Sequence, residues 1–255
     1  MRVGRVSVSV ALVSGGATGI GAAVVRALRL RGDHVLVADL NAAAGEALVQ
    51  QELPGRAAFL ECDLATVDGP ARAVAAAAEL GEGHLDTVFY NAGILEARPL
   101  RAWTAQAWDR SAAVNLRGAF LTVQAAQDLL AASGAGRVVL TSSTGALRGH
   151  AGMPAYHATK SGLIGLVRAL ADELGPAGTT VNAICPGWVD TAFNDSFWEH
   201  QREPAEALRD LVDSIPLGRQ GDPDDIVGTV LFLASPASAY MTGQALVIDG
   251  GYTAV

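Results

Sequence analysis

The feature that most constrains this chain is the alternation, from one end to the other, of short apolar runs with longer amphipathic ones. Strand-like runs are read at residues 6–13, 34–38, 57–61, 87–90, 137–141, 180–184 and 245–248. Each is short and β-branched or apolar, as strands covered on both faces should be. Helical stretches lie between them at 20–31, 42–51, 69–80, 104–132, 156–175 and 223–234. Strand and helix in succession imply crossover connections, which build a parallel sheet with helices on both faces. The expectation is one α/β domain over residues 1–255 with a doubly wound, seven-stranded parallel sheet. With 255 residues, half of them hydrophobic, the chain has enough apolar material for one large core. The exception to regularity is 190–217, rich in Phe, Trp, Asp and Glu. A connection this long in a compact domain is read as a substrate lid.

Charge and cysteine count narrow the function classes. A net charge of −8 argues against a nucleic-acid surface, which needs clustered Lys and Arg to neutralise phosphates. There is no basic amphipathic stretch for a membrane, and no apolar run reaches spanning length. Cys62 and Cys185 are too few and too isolated for a disulfide framework or a zinc site. Both are read as buried free thiols in a reducing cytoplasm, and no metal is expected. The start, Met1-Arg2-Val3-Gly4-Arg5 before an apolar run, superficially resembles a signal peptide. That run alternates with period two and leads into the first glycine loop, so no targeting segment is expected.

The first strand runs into Ser14-Gly15-Gly16-Ala17-Thr18-Gly19-Ile20-Gly21, which opens directly into an apolar helix. Glycines let a backbone turn sharply and approach a pyrophosphate, while the free N–H groups and dipole of the helix start stabilise its charge. Such loops are common between strand and helix, and Val24 stands where G-x-G-x-x-G would need its third glycine. Two further features sharpen the reading. Asp39 ends the second strand twenty residues beyond Gly19, where a carboxylate can accept hydrogen bonds from the adenosine ribose. It would repel the 2′-phosphate of NADP, and neither the loop nor Leu40-Asn41 supplies a compensating cation, so NAD is the expected cofactor. Cys62-Asp63-Leu64 and Asn91-Ala92-Gly93 then end the third and fourth strands, where parallel sheets of the Rossmann type bind ligands.

Tyr156 and Lys160 sit four apart at the start of a helix and so point the same way. A free tyrosine has a pKa near 10, but a nearby ammonium favours the phenolate and makes it a usable general base. Alone, a Tyr-x-x-x-Lys pair is common on helices.

The combination Gly15-x-x-x-Gly19-x-Gly21, Asn91-Ala92-Gly93, Asn115, Ser143, Tyr156-x-x-x-Lys160 and Pro186-Gly187-x-Val189-x-Thr191 resembles the short-chain dehydrogenase/reductases. The resemblance runs from about Val6 to Asp249-Gly250-Gly251. It implies hydride transfer between NAD and a secondary alcohol or ketone. Ser143 would hydrogen-bond the substrate oxygen, and Tyr156 would exchange the proton. Lys160 would bind the nicotinamide ribose and lower the Tyr156 pKa, and Asn115 would hold a water leading from Lys160 to solvent. Gly15, Thr18, Gly19, Ile20 and Gly21 would meet the pyrophosphate, and Asp39 and Leu40 the adenosine ribose. Asp63 and Leu64 would meet adenine, with Asn91, Ala92 and Gly93 beneath it. Pro186, Gly187, Val189 and Thr191 would hold the carboxamide. Ser14 stands where the family often has Thr, which keeps a hydroxyl.

The substrate is less legible. Ser143, Leu147, His150, Met153, Trp188 and Asn194 are the expected pocket. Phe193, Phe197 and Trp198 favour an apolar cover, whereas Glu96, His150, Asn194 and His200 could serve hydroxyl groups. Acidic carrier proteins need a basic landing surface, but the helix ends here read Asp172-Glu173 and Ala131-Ala132-Ser133-Gly134. A small free polyol, sugar, cyclic or simple secondary alcohol is therefore expected over a 3-oxoacyl thioester. A nucleotide-sugar epimerase would need a substrate domain for which the chain leaves no room. An NAD(H)-sensing regulator would lack one of Ser143, Tyr156 or Lys160. In the resembling family the helices at 104–132 and 156–175 pair across a two-fold axis, which implies a homodimer or homotetramer.

Overall fold

The computed structural model describes residues 8–255. Its seven strands are β1 (Val10–Ser14), β2 (His34–Asp39), β3 (Ala57–Glu61), β4 (Thr87–Tyr90), β5 (Arg137–Thr141), β6 (Thr180–Pro186) and β7 (Ala245–Ile248). All pair in parallel, in the order β3-β2-β1-β4-β5-β6-β7. The order reverses between β1 and β4, and a crevice opens there at the carboxyl ends of the strands.

Period-two alternation sorts each central strand between two cores. Val10 and Leu12 of β1, Leu36 and Ala38 of β2, and Val138 and Leu140 of β5 enter one core. Ala11 and Val13, Val35 and Val37, and Val139 enter the other. Helices α3 (Gly69–Leu80), α5 (Gly118–Ser133) and α6 (Pro154–Leu174) cover the first face. Helices α1 (Gly19–Leu30), α2 (Ala42–Val49) and α9 (Pro223–Leu233) cover the second. This is the doubly wound Rossmann architecture, built from strands that are apolar on both sides because both sides are covered.

Three expectations need correction. The first strand starts at Val10, not at residue 6; residues 6 and 7, like the basic start at 1–5, lie outside the described residues. The helix expected at 104–132 is interrupted. α4 (Ala105–Ala112) passes through a π-helical turn, Ala113–Arg117, before α5 begins. Such turns change the facing of a helix and cluster at functional positions, and this one holds Asn115. The connection at 190–217 is not a plain loop. It contains a 3₁₀ turn (Ala192–Asn194), α7 (Asp195–His200) and α8 (Pro204–Asp213). Among the described residues no helix is long and apolar enough to cross a membrane. Cys62 and Cys185 are both free and buried.

Candidate active site

Strand register places the chemistry at one edge of the sheet. Ser14 is level with Ala38 on one side and with Tyr90 on the other, so Gly15, Asp39 and Asn91 emerge together. Asn91 ties this edge: its Nδ2 donates to the Gly15 carbonyl at 3.0 Å, and its Oδ1 accepts from Thr141 Oγ1 at 3.1 Å. Gly15 holds φ +69° and Gly19 φ +52°, a region that L side chains rarely adopt. Gly21 is needed for a different reason, because a methyl group there would overlap the Gly15 carbonyl. The side chain of Thr18 makes no capping bond at the start of α1, so the first-turn N–H groups remain open for an anion.

A cavity of about 940 Å³ runs along this edge. Gly15, Thr18, Gly19, Ile20, Asp39 and Leu40 line one end, and Asp63, Leu64, Asn91, Ala92 and Gly93 line the middle. Ser143, His150, Met153, Tyr156, Lys160 and Trp188 line the other end, together with Pro186, Gly187, Val189, Thr191 and Asn194. An uncapped helix start, a carboxylate at the end of β2 and an elongated crevice fit a dinucleotide. Asp39 Oδ2 accepts from Ala17 N at 2.9 Å and Oδ1 from Asn41 N at 3.0 Å, which fixes the carboxylate at the mouth.

At the far end, Ser143 follows β5, while Tyr156 and Lys160 lie on the first turns of α6. Ser143 Oγ accepts from Gly145 N at 2.9 Å, so its own proton is free to be donated. Lys160 Nζ donates to the Thr141 carbonyl at 2.7 Å and lies 5.6 Å from the centre of the Tyr156 ring. Both side chains are almost fully buried. Burial pushes the Tyr156 phenol up to about 12, with the Ser143 hydroxyl pulling the other way. Burial lowers Lys160 to about 8. The expected lowering of Tyr156 by Lys160 is therefore not the balance in the free site, where desolvation dominates.

The Lys160 shift carries a stability consequence with a definite sign. Between about 8 and 10.5 the unfolded chain holds the Lys160 proton and the folded one does not, so stability rises with pH across that window. Tyr156 acts oppositely, because its folded value is raised, and stability is lost above about 10. The thermal midpoint of the cofactor-free protein, relative to Lys160→Met, should therefore climb from pH 8 to 10. A flat difference by scanning calorimetry would overturn this account of Lys160.

Several expected residues take unexpected positions. Asn115 is fully buried and outside the cavity wall. Its Oδ1 accepts from Ile94 N at 2.8 Å, and its Nδ2 donates to the Ile94 carbonyl and to Thr159 Oγ1. It thereby braces the chain just after Gly93. Leu147 follows the 3₁₀ turn Thr144–Ala146, is 55% exposed, and is not part of the wall. Asn194 is in the wall, with its Nδ2 bound to the Val189 carbonyl at 2.7 Å.

Other wall residues were not anticipated from the sequence: Ile94, Leu95, Val114, Thr144, Gly145 and His157. His157 adjoins Tyr156, and only its partners show what it does. Its Nδ1 meets the Gly145 carbonyl at 2.7 Å, and its Nε2 accepts from His150 N at 2.8 Å. A carbonyl requires Nδ1–H and a backbone N–H requires a bare Nε2, so the neutral ring with its proton on Nδ1 satisfies both.

Comparisons with known proteins converge on one group. The family described as Enoyl-(Acyl carrier protein) reductase matches residues 15–253. A D-threitol dehydrogenase of Mycolicibacterium smegmatis is 39% identical over 98% of this chain and 94% of its own. A probable galactose dehydrogenase of Rhizobium meliloti is 38% identical over 94% of this chain and 93% of its own. A crystal structure of a putative short-chain alcohol dehydrogenase from Sinorhizobium meliloti 1021 superposes with a TM-score of 0.90. It is 36% identical, and the match covers 98% of each chain.

Proposed function

The chain belongs to the short-chain dehydrogenase/reductase family, oxidoreductases that use a nicotinamide cofactor, and from that premise we propose that it interconverts a small secondary alcohol and its ketone with NAD. The observation that carries this reading is the convergence of Ser143, Tyr156 and Lys160 at one end of the cavity whose other end holds the glycine loop and Asp39.

When bound, the nicotinamide supplies the hydride acceptor or donor. Gly15, Thr18, Gly19, Ile20 and Gly21 would hold the cofactor's pyrophosphate, Asp63 and Leu64 its adenine, and Pro186, Gly187, Val189 and Thr191 its carboxamide. Ser143, whose Oγ already accepts from Gly145 N, turns its proton toward the substrate oxygen and stabilises the charge that develops there. The Tyr156 hydroxyl passes its proton to that oxygen in reduction and recovers it in oxidation. Lys160, held by the Thr141 carbonyl, has two N–H groups left for ribose hydroxyls. Asn115 is a positioning residue: it holds the backbone at Ile94, and hence Gly93, against α6. The segment 190–217, with α7 and α8, is the lid: Ser196 Oγ accepts from Ala97 N at 3.1 Å, docking it on the opposite wall.

The preference for NAD rests on Asp39. A fixed carboxylate beside the neutral Leu40 and Asn41 disfavours a 2′-phosphate. Asp39→Ala should shift the ratio of kcat/KM for NAD over NADP by about tenfold or more toward NADP. An unchanged ratio would place cofactor discrimination elsewhere.

The substrate is read as a free small molecule, not a carrier-bound thioester, because the flanking helix ends carry no basic patch. The two buried free thiols suit a reducing, cytoplasmic setting. Assembly as a homodimer or homotetramer is supported by an apolar groove on the outer side of α4, α5 and α6. It is lined by Leu116, Phe120, Gly162 and Leu166, with Phe120 left 39% exposed.

The test is cofactor reduction by purified protein at mildly alkaline pH over polyols, sugars and cyclic or linear secondary alcohols, with NAD and NADP in parallel. Turnover with NAD supports the whole reading. Turnover with NADP alone removes the Asp39 argument and leaves the catalytic one. Cofactor binding with no turnover of any alcohol or ketone favours an NAD(H)-sensing regulator.

A further inference from the structure

The substrate end of the cavity contains a braced pair of hydrogen-bonding points, Ser143 and His150, in a mostly apolar wall. Four side chains were candidates for serving hydroxyl groups of the substrate, and folding leaves two of them, His150 and Asn194, in the wall. Glu96 is paired with Arg98 and is outside the wall. His200 is also outside it, packed where a methyl group on Gly152 would meet its ring. Asn194 commits one Nδ2 N–H to the Val189 carbonyl, which fixes its amide, and retains the second N–H and its oxygen. His150 keeps a ring nitrogen available in the wall: Nε2 lies 3.4 Å from the Tyr252 hydroxyl, a long contact, and Nδ1 makes no hydrogen bond among the described residues. Ile94, Leu95, Met153, Trp188 and Phe193 supply the apolar part of the wall at this end.

The His150 ring is held on several sides. It stacks on Tyr252 at 6.3 Å with 9° between planes, and meets Trp188 edge-on at 5.4 Å. Its backbone N–H is bound by His157 Nε2, and the same imidazole binds the Gly145 carbonyl. The Gly145 N–H in turn binds Ser143 Oγ. One clamped segment thus sets the spacing between Ser143, which faces the reacting oxygen, and His150.

We propose that the substrate is a compact, hydrocarbon-rich ring bearing the reacting hydroxyl or carbonyl and one neighbouring oxygen that His150 hydrogen-bonds. This rests on the reading of the site as an alcohol oxidoreductase and narrows its substrate class. A rigid pair of points selects a molecule whose two oxygens are held at a fixed separation, which a ring does and a freely rotating chain does not. The several further hydroxyl groups of a tetritol or hexose would outnumber the polar groups of this wall, and those facing apolar side chains would lose their water without a partner.

The experiment measures kcat/KM, with the preferred cofactor, for cyclohexane-1,2-diol, cyclohexanol, threitol and galactose. The whole protein is compared with its His150→Phe and His150→Gln variants, each checked for an intact thermal midpoint. The diol is expected to exceed threitol and galactose by about tenfold or more. The preference for diol over cyclohexanol should fall by about tenfold in His150→Phe and recover substantially in His150→Gln, which restores a donor and acceptor. Threitol or galactose turned over as well as the diol would overturn the proposal while leaving the oxidoreductase reading intact. So would a loss in His150→Phe shared equally by diol and cyclohexanol, which marks a structural role. Absence of turnover with every alcohol tried, and with the matching ketones in reverse, would sink both readings.

Discussion

Tyr156→Phe is expected to lower kcat by roughly 10²–10⁴-fold, the range that a positioned acid–base group supplies. The ring stays in its buried place between the end of β5 and the lid, so shape and packing are preserved. Only the hydroxyl is lost. Its burial disfavours ionisation and pushes it up to about 12, so in the free protein it stands as a proton donor at neutral pH. Removing a buried polar group leaves the thermal midpoint equal or slightly higher. Cofactor affinity, measured by quenching of protein fluorescence, should stay within a few-fold, because the pyrophosphate cradle and Asp39 are untouched. A variant retaining more than a tenth of the original turnover would remove Tyr156 from the proton path.

Gly15→Ala should be strongly damaging at the nucleotide end, through both contact and backbone conformation. The added carbon would lie 2.5 Å from Ala92 Cα and 2.6 Å from Ala92 N, both backbone atoms with no rotamer by which to retreat. The residue also sits at φ +69°, where a side chain costs about 1–2 kcal/mol. Overlap in a packed interior adds typically about 1–3 kcal/mol. Together these predict a loss of about 2–5 kcal/mol, read from urea unfolding. Any protein that remains folded should have weakened cofactor binding, because Ala92 and Asn91 are displaced from beneath the crevice. Gly32 serves as the control. It too has a positive φ, but a methyl there meets nothing within 4 Å, so Gly32→Ala should incur only the conformational cost. Equal losses at the two positions would show that steric approach at Gly15 is unimportant.

These two residues differ in how far the sequence discloses them. Tyr156 is legible because four residues along a helix return to the same face, so a phenol and an ammonium spaced that way must be neighbours. Gly15 is legible as a turn but not as a contact. Its conflict is with Ala92, and that proximity exists only because β4 lies beside β1 in the sheet. Asn115 shows a similar limit. Its position in the motif set suggests that it holds a water, and only the fold shows that its side chain is bound to Ile94 and Thr159. The π-helical turn that directs it there has no distinct periodicity to betray it. Within 190–217, α7 has only six residues and is too brief to show a periodicity. α8 does carry a helical signal, an amphipathic ten residues opened by Pro204.

By itself the sequence determined the architecture and the kinds of chemistry available. Short, continuously apolar runs alternating with helices dictate a doubly wound parallel sheet, because run length, residue type and helical periodicity are local properties of the chain. The glycine turn, Asp39 and the Tyr156–Lys160 spacing are local in the same sense. The tertiary structure alone decided which polar groups remain free to act. Glu96, Asn194 and Asn115 appear available in the sequence, and folding commits them to Arg98, Val189 and Ile94. His150 is legible in the sequence as a pocket residue, but only folding brings in His157, which binds the His150 backbone N–H and braces it. A polar side chain's function depends on whether its hydrogen-bonding capacity is already satisfied. The partners that satisfy it come from distant segments, whose proximity no local pattern records.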